Sequence, residues 1–318
     1  MKEYQLLGKK DTRSGFGAGL LEAGRRNKNV VALCADLIGS VKMDSFYKEF
    51  PDRTIQCGIA EADMIGIAAG LALSGKVAFA ASFAAFATGR VYDQIRQAVA
   101  YSDTNVKIAG SHAGVTLGED GATHQILEDI GLMKMLPNMA VLNPCDYNQT
   151  KAATIAAAEY RGPVYIRFGR PSVPMFIPED MPFEIGKALL LSEGKDVSLV
   201  ATGHLVWEAL EAARLLEKEG ISAEVIDIHT IKPLDGEAIL RSARKTGCVV
   251  GCEEHQFNGG LNESIAQLLV RNEPVPMEFI GVDDVFGQSG KPDELMVKYN
   301  LKAENIAATA KKAISRKK

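Results

Sequence analysis

The chain has 318 residues, with 36 basic and 40 acidic side chains and a formal net charge of −4. This balance lacks the basic excess of a nucleic-acid-binding protein, and five cysteines without a CxxC pair predict neither a disulfide framework nor a metal site. The amino-terminal residues contain no apolar stretch of signal-peptide length, so we expect a cytoplasmic location.

The first half of the chain alternates between Ala-rich helical segments and short β-branched runs, which predicts a parallel α/β sheet. The predicted strands are 30–33, 77–81, 106–109 and 164–166. The stretch 64–89 is apolar but consists mostly of Ala and Gly, and Ser74-Gly-Lys76 interrupts it. We therefore interpret it as a helix followed by a strand, and expect no membrane span.

Prolines at positions 171, 174, 178 and 182 end this regular pattern and indicate a linker. A second alternating unit follows, with predicted strands at 197–201, 223–227 and 248–252. The predicted fold class is therefore α/β, with two three-layer domains. A mainly parallel-sheet domain covers 1–175, the linker covers 176–190, and a smaller α/β domain covers 191–318.

Glu61 stands at the head of the predicted helix that follows Cys57. The helix is so apolar and small-sided that we expect Glu61 to be buried, and between residues 60 and 75 the only other ionisable side chain is that of Asp63. A buried carboxylate without a charged partner is unfavourable unless it has a role. Holding a proton for a cofactor is the role that we favour.

The densest polar cluster, 111–125, follows the predicted strand 106–109 and contains His112, Asp120 and His124 among several glycines. Ligands bind at the carboxyl ends of such strands. These residue types favour a small-molecule site, although a loop held by its own hydrogen bonds remains an alternative.

Four further side chains are ambiguous by themselves. Phe83 and Phe86 follow a strand and, taken alone, would more often belong to a core. Arg13 and Arg170 lie near the first helix and after the strand 164–166, where each would either pair with a surface carboxylate or bind a sugar phosphate.

Taken together, these segments resemble the pyrimidine-binding domain of the transketolase family. The resemblance rests on Gly58-Ile-Ala-Glu61, Ser82-Phe-Ala-Ala-Phe86, the loop from His112 to His124 and Arg167-Phe-Gly-Arg170, in matching order and spacing across about 10–175. The segments 227–235 and 253–260 are similar to the C-terminal domain of the same thiamine-diphosphate superfamily.

The resemblance implies transfer of a two-carbon ketol unit from a ketose phosphate to an aldose phosphate, through an ylide and an enamine of thiamine diphosphate. Glu61 would hydrogen-bond the aminopyrimidine ring nitrogen and activate the cofactor, and Phe83 and Phe86 would pack against the pyrimidine. His124 would be the second catalytic residue. The sugar and phosphate contacts implied by the resemblance are Arg13, Ser40, His112, Asp120, His124 and Arg170. At Gly89 the family often carries a third aromatic.

The sequence contains no Gly-Asp-Gly segment of the kind with which the family holds magnesium and the diphosphate. The resemblance therefore implies the C-terminal subunit of a split transketolase, with Mg2+ and the diphosphate held by a separate N-terminal subunit. Family sites lie between subunits, so a homodimer of this chain within a heterotetramer is expected.

Three alternatives remain. A deoxyxylulose-phosphate-synthase-like enzyme and the β subunit of a 2-oxo acid dehydrogenase share Glu61 and the second domain, but the loop 118–124 favours sugar handling, and the Phe-Ala-Ala-Phe segment is typical of transketolase. A non-catalytic scaffolding subunit should have lost the proton-handling side chains, yet Glu61, His112, Asp120 and His124 are all present.

Overall fold

The computed structural model of the chain describes residues 4–317. The strands of the first domain are β1 (Lys9–Asp11), β2 (Val30–Cys34), β3 (Thr54–Gln56), β4 (Val77–Phe83), β5 (Val106–Ser111), β6 (Ala140–Leu142), β7 (Val164–Arg167) and β8 (Ser172–Pro174). Its helices are α1 (Thr12–Arg26), α2 (Asp44–Glu49), α3 (Glu61–Leu73), α4 (Tyr92–Gln94), α5 (Asp129–Lys134) and α6 (Tyr147–Glu159). Two π-helical turns, Ala85–Gly89 and Ile95–Tyr101, flank α4, and short 3-10 turns occupy Pro51–Arg53 and Val115–Leu117.

The second part of the chain repeats the alternation on a smaller scale. Its strands are β9 (Leu189–Ser192), β10 (Val197–Ala201), β11 (Ala223–Asp227), β12 (Thr230–Lys232), β13 (Val249–Gln256) and β14 (Met277–Val282). Its helices are α7 (Leu205–Lys218), α8 (Gly236–Thr246), α9 (Leu261–Asn272), α10 (Pro292–Lys298) and α11 (Ala303–Ser315). Within residues 4–317, none of the helices has the length and apolar character needed to cross a bilayer.

The first domain is built on a seven-stranded sheet with the order β12-β6-β7-β5-β4-β2-β3. All neighbouring strands are parallel except β12, which runs antiparallel to β6. Alternate side chains of β2 face opposite sides: Val30 and Ala32 join the core formed with α1 and α6, whereas Val31 and Leu33 join the core formed with α3. The predicted α/β class is confirmed.

The second sheet has five strands in the order β14-β13-β10-β11-β9, with only β9 antiparallel. Helices α7 and α11 cover one face, and α8 and α9 cover the other. The core on the α8 side is continuous with the α3 side of the first domain, where Ile108 and Ile228 belong to one cluster. The two domains therefore share both a core and, through β12, a sheet.

Close packing of α1 on α6 depends on glycine. Asp11 caps α1 by accepting a hydrogen bond from the Ser14 amide at 3.0 Å. A Cβ on Gly15 would overlap the carbonyl oxygen of Tyr147, and a Cβ on Gly19 would lie 2.7 Å from the carbonyl oxygen of Lys151. These glycines allow the backbones to approach and place α1 beside the carboxyl edge of the sheet.

Candidate active site

The candidate site lies at the edge of the seven-stranded sheet where its parallel strands end. β3, β4, β5 and β7 end at residues 56, 83, 111 and 167. Glu61 begins α3, Phe83 ends β4 and His112 comes directly after β5. The loops after parallel strands converge at this edge, which is where ligands of such sheets bind.

Glu61 forms the floor of the site in the first turn of α3 and is 4% exposed. Nη1 of Arg90 donates hydrogen bonds to its Oε1 at 3.0 Å and its Oε2 at 3.1 Å. The positive end of the α3 dipole also favours the carboxylate. Burial of Glu61 is confirmed, but the expectation of no charged partner is wrong, because Arg90 lies 29 positions away and outside α3.

Arg90 is a site residue that the sequence interpretation missed. Its side chain is 50% exposed, and its guanidinium carbon lies 4.1 Å from the centroid of the Phe86 ring. A Cβ on the neighbouring Gly89 would meet only Ile126 Cδ1, at 3.9 Å. The side of the site that Gly89 leaves open is thus bordered by the Arg90 guanidinium. The four-residue spacing between Phe86 and Arg90 was the sequence signal that could have identified Arg90, because side chains four positions apart on a helix are neighbours.

Four rings form one wall of the site. Phe83 and Phe86 are stacked with centroids 5.7 Å apart, and Phe83 also stacks on His112 at 3.8 Å. His124 approaches Phe86 edge-on at 5.4 Å and Phe83 at 6.4 Å. Phe83 and Phe86 are only partly buried, so they line the site as well as supporting it.

His112 is buried and neutral. Nη1 of Arg13 lies 3.4 Å from its Nε2, and Oγ of Ser111 lies 2.7 Å from its Nδ1. Because Arg can only donate, Nε2 accepts and the proton resides on Nδ1, which donates to Ser111. Burial, reinforced by the positive charges of Arg13 and Arg170 and by His124, lowers the pKa of His112 to about 3.

Arg13 connects the first helix to this wall. Its Nη1 donates to the carbonyl oxygen of Ser40 at 3.1 Å, and its Nε lies 3.4 Å from Oδ1 of Asp11. Burial lowers the pKa of Arg13, although Asp11 opposes the effect. The structure therefore brings Arg13, Ser40 and His112 together, as the predicted set requires.

Arg170 and Asp120 lie at the outer rim. Nη1 of Arg170 donates to the Leu117 carbonyl oxygen and to Oε2 of Glu119, both at 2.8 Å. The exposed Glu119 is a surface carboxylate of the kind that the sequence analysis gave as one of the two possible partners of Arg170. Asp120 is exposed at the loop tip, and within the part of the chain that the structure describes its side chain forms no hydrogen bond to another predicted site residue.

The floor and wall fit the aminopyrimidine end of thiamine diphosphate. A planar heterocycle needs a flat apolar surface and a polar group facing its ring nitrogen, and the Phe86 ring and the buried Glu61 carboxylate provide both. Arg90 would have to leave Glu61, and its half-exposed side chain has access to water. Among residues 4–317, His, Cys, Asp and Glu side chains form no group of three or more that could hold a metal ion.

Two family models match most of the chain. Residues 8–175 match the family model described as transketolase, pyrimidine binding domain, and residues 186–306 match that of the transketolase C-terminal domain. The chain belongs to the transketolase family. The predicted family and fold are thereby confirmed, whereas the site roles and domain boundaries stay predictions.

Several transketolase relatives have the same extent as this chain. A putative transketolase C-terminal section of Methanocaldococcus jannaschii is 47% identical over 94% of both chains, and a 6-deoxy-6-sulfo-D-fructose transketolase subunit of a Clostridium species is 45% identical over 94% of this chain and 92% of its own. Human transketolase is 37% identical over 99% of this chain but only 51% of its own length. The chain thus corresponds to a C-terminal subunit of a split transketolase.

A solved structure supports the same assignment. The chain superimposes with a TM-score of 0.92 on a split-gene transketolase described as an inactive beta4 tetramer, at 47% identity and with 97% of this chain and 99% of that chain covered. The two alternative enzymes, the synthase-like protein and the dehydrogenase β subunit, are not favoured by these relatives.

Proposed function

We propose that this chain supplies the aminopyrimidine pocket and the sugar-phosphate channel of a transketolase, and that a separate N-terminal subunit completes the site. The observation that carries the proposal is the convergence of a buried carboxylate, an aromatic wall and three arginines, Arg13, Arg90 and Arg170, at one sheet edge. Arg90 contacts both Glu61, at 3.0 Å, and the Phe86 ring, at 4.1 Å from its centroid. The Phe83 ring stacks on both Phe86, at 5.7 Å, and His112, at 3.8 Å.

Glu61 and the two phenylalanines would serve the cofactor. Bound thiamine diphosphate would supply the nucleophilic carbon that accepts the two-carbon unit. Glu61 would hold a proton at the ring nitrogen of the aminopyrimidine. This interaction is favoured because the Glu61 carboxylate is buried and does not compete with water for the proton. Phe83 and Phe86 would hold the ring in place and exclude water from that proton.

The substrate would lie along the other residues of the predicted set. Arg13 and Arg170 are suited to a phosphate because a guanidinium offers paired donors, and their positive charges already reach His112. Neutral His112 adds no charge to the site, and its Nε2, which lies 3.4 Å from Nη1 of Arg13, would exchange that long contact for a hydrogen bond from a sugar hydroxyl. His124, beside Phe86, and Asp120 and Ser40, at the rim, would complete the orientation of the donor.

The missing half of the site would come from a second gene product. Human transketolase, which this chain matches over only half of its length, supports a further chain of similar size. We assign Mg2+ and the diphosphate to that N-terminal subunit, and expect two copies of each chain in a heterotetramer within the cytoplasm. The described tetramer of the split-gene relative is inactive, consistent with a chain that needs a partner.

The test is a coupled assay of this chain mixed with its N-terminal subunit, thiamine diphosphate and Mg2+. Xylulose 5-phosphate with ribose 5-phosphate is compared with pyruvate, and with the ketoses named for two relatives, 6-deoxy-6-sulfo-D-fructose and apulose 4-phosphate. We expect turnover with at least one ketose and none from either chain alone. Turnover with pyruvate only would support a dehydrogenase, and cofactor binding without turnover of any ketose would support a scaffold.

A further inference from the structure

A buried carboxylate of the second domain touches the candidate site. We call residues 112–125 the site loop. Glu254, in β13, is 3% exposed, and its Oε1 accepts a hydrogen bond from the Thr116 amide at 2.7 Å. A Cβ on Gly114 would overlap the Glu254 carboxylate, so the loop backbone rests directly on it. The contact begins two residues after His112.

Glu254 is itself firmly held. Its carbonyl oxygen accepts from Nη2 of Arg167 at 2.8 Å, and Nε of Arg167 donates to Oδ2 of Asp129 at 2.8 Å. Nδ1 of His204 lies 3.5 Å from Oε2 of Glu254. Burial by itself would raise the pKa of Glu254, but His204, Arg167 and the Thr116 amide together leave it below the usual value, so the carboxylate is ionised at neutral pH.

A second contact holds the other end of the site loop. Gln125 is 8% exposed, and its Nε2 donates to the carbonyl oxygens of Val115 at 2.9 Å and Gln288 at 3.0 Å. Gln288 belongs to the second domain. Because Gln125 directly follows His124, this bond fixes the loop on the far side of the substrate histidines.

The site loop needs such support. Apart from the turn Val115–Leu117 it contains no regular element, and positive φ angles occur at His112 (60°), Gly114 (83°), Gly118 (97°) and Gly121 (73°). A non-glycine residue persists at positive φ when surrounding contacts determine its conformation. His112 is held by Arg13 and Ser111, and two residues further along the chain the backbone at Gly114 lies against the Glu254 carboxylate.

We propose that Glu254 is a positioning residue of the active site, through which the second domain holds the site loop and thereby sets the places of His112 and His124. The Glu254 side chain is buried beneath the loop and acts through the Thr116 amide and the Gly114 backbone. The expected change in KM rests on the proposed function, whereas the expected change in amide hydrogen exchange does not.

The chain offers a matched control. Glu253, the preceding residue of β13, is also fully buried, but its two oxygens accept from the Leu261 and Asn262 amides at 2.7 and 2.8 Å and cap α9, away from the site loop. Glu254→Ala, Glu254→Gln and Glu253→Gln therefore separate loop positioning from the general effect of losing a buried carboxylate.

The first measurement is amide hydrogen exchange of the full chain, read by mass spectrometry on peptides covering 112–125. Loss of a hydrogen bond to a charged acceptor should speed exchange of the loop about tenfold or more in Glu254→Ala. Glu254→Gln keeps an acceptor for the Thr116 amide and should show a smaller increase. Glu253→Gln should affect peptides of α9 and leave the site loop unchanged.

The second measurement uses the complex with the N-terminal subunit. We expect Glu254→Ala to raise KM for the ketose phosphate about tenfold while the affinity for thiamine diphosphate stays within about twofold, with partial rescue in Glu254→Gln. Site-loop exchange that is unchanged in both Glu254 variants, or equally faster in Glu253→Gln, would overturn the proposal. If the wild-type complex has no transketolase activity, the proposed function fails, and the exchange measurement still decides the role of Glu254.

Discussion

The side chains of Glu61 and Arg90 meet at the floor of the site with very different exposure, 4% and 50%. If Glu61 is removed, Arg90 can turn to water. If Arg90 is removed, a buried carboxylate loses the donor that binds both of its oxygens. The penalty for leaving a buried charge unpaired is larger than that for releasing a surface charge.

We therefore expect Arg90→Ala to lower the free energy of unfolding by about 1–3 kcal/mol, and Glu61→Ala to lower it by less than about 1 kcal/mol. Urea unfolding of the full chain measures both. Glu61→Ala should nevertheless reduce transketolase turnover by about a hundredfold or more, because it removes the proposed proton holder. Near-normal turnover would contradict that role, and a greater loss of stability in Glu61→Ala than in Arg90→Ala would contradict the ion-pair argument.

His112 makes stability depend on pH. Its pKa is about 3 in the folded chain against an ordinary value of 6.5, so below pH 6.5 the unfolded chain binds a proton that the folded chain does not. The stabilisation present above pH 6.5 is lost as the pH falls, by up to about 1.4 kcal/mol per pH unit.

Comparing the wild type with His112→Gln isolates this contribution, because the other titrating groups are common to both. Urea unfolding at several values between about pH 7 and about pH 5 should show the wild type losing more stability than the variant on acidification. Parallel pH profiles for the two proteins would show that His112 titrates normally.

At the scale of elements, the contact between α1 and α6 is the most demanding sterically. Gly15→Ala places a Cβ against the Tyr147 carbonyl oxygen and should lower the free energy of unfolding by about 1–3 kcal/mol, since α6 must shift. Gly131→Ala in α5 is the control, because its new Cβ would come no closer than 3.4 Å to a neighbouring atom. Equal effects of the two substitutions on urea unfolding would refute the steric explanation.

The elements that could be predicted from the sequence are those with a local pattern. The β-branched runs predicted β2, β4, β5 and β7, and the apolar character of 64–73 predicted a buried helix beginning near Glu61. Pairing of β12 with β6 was not predicted, because it joins Thr230 to Leu142 across the domain boundary. Arg90 and Glu254 were missed as site residues for the same reason: their partners lie far away in the sequence.

At the scale of the molecule, the outward face of α3 is largely apolar and exposed to solvent. On the outward side of α3, Ala62, Gly66, Gly70 and Leu73 are exposed beside the single charged side chain Asp63, and Leu73 reaches 77%. Ile59, just before the helix, is 79% exposed. Exposed apolar surface of this kind marks an interaction site, and we propose that a second copy of the chain covers it.

Gly66→Arg tests this interface without straining the single chain, since no atom lies within 4 Å of the position that a new Cβ would take. Sedimentation velocity should show self-association weakened about tenfold or more, because a charge in an apolar interface is unfavourable. Val270→Arg is the control, at a 70% exposed apolar position on α9 of the second domain. Unchanged association in Gly66→Arg would exclude α3 from the interface.

The Glu61–Arg90 pair has a further consequence for the affinity of the chain for its cofactor. Under the proposed function, only chains whose Arg90 has released Glu61 accept the aminopyrimidine, so the apparent dissociation constant is the intrinsic one divided by the released fraction. Salt screens a pair whose arginine is half-exposed and enlarges that fraction. Under the proposed function, a higher ionic strength therefore increases the fraction of chains that can bind the cofactor.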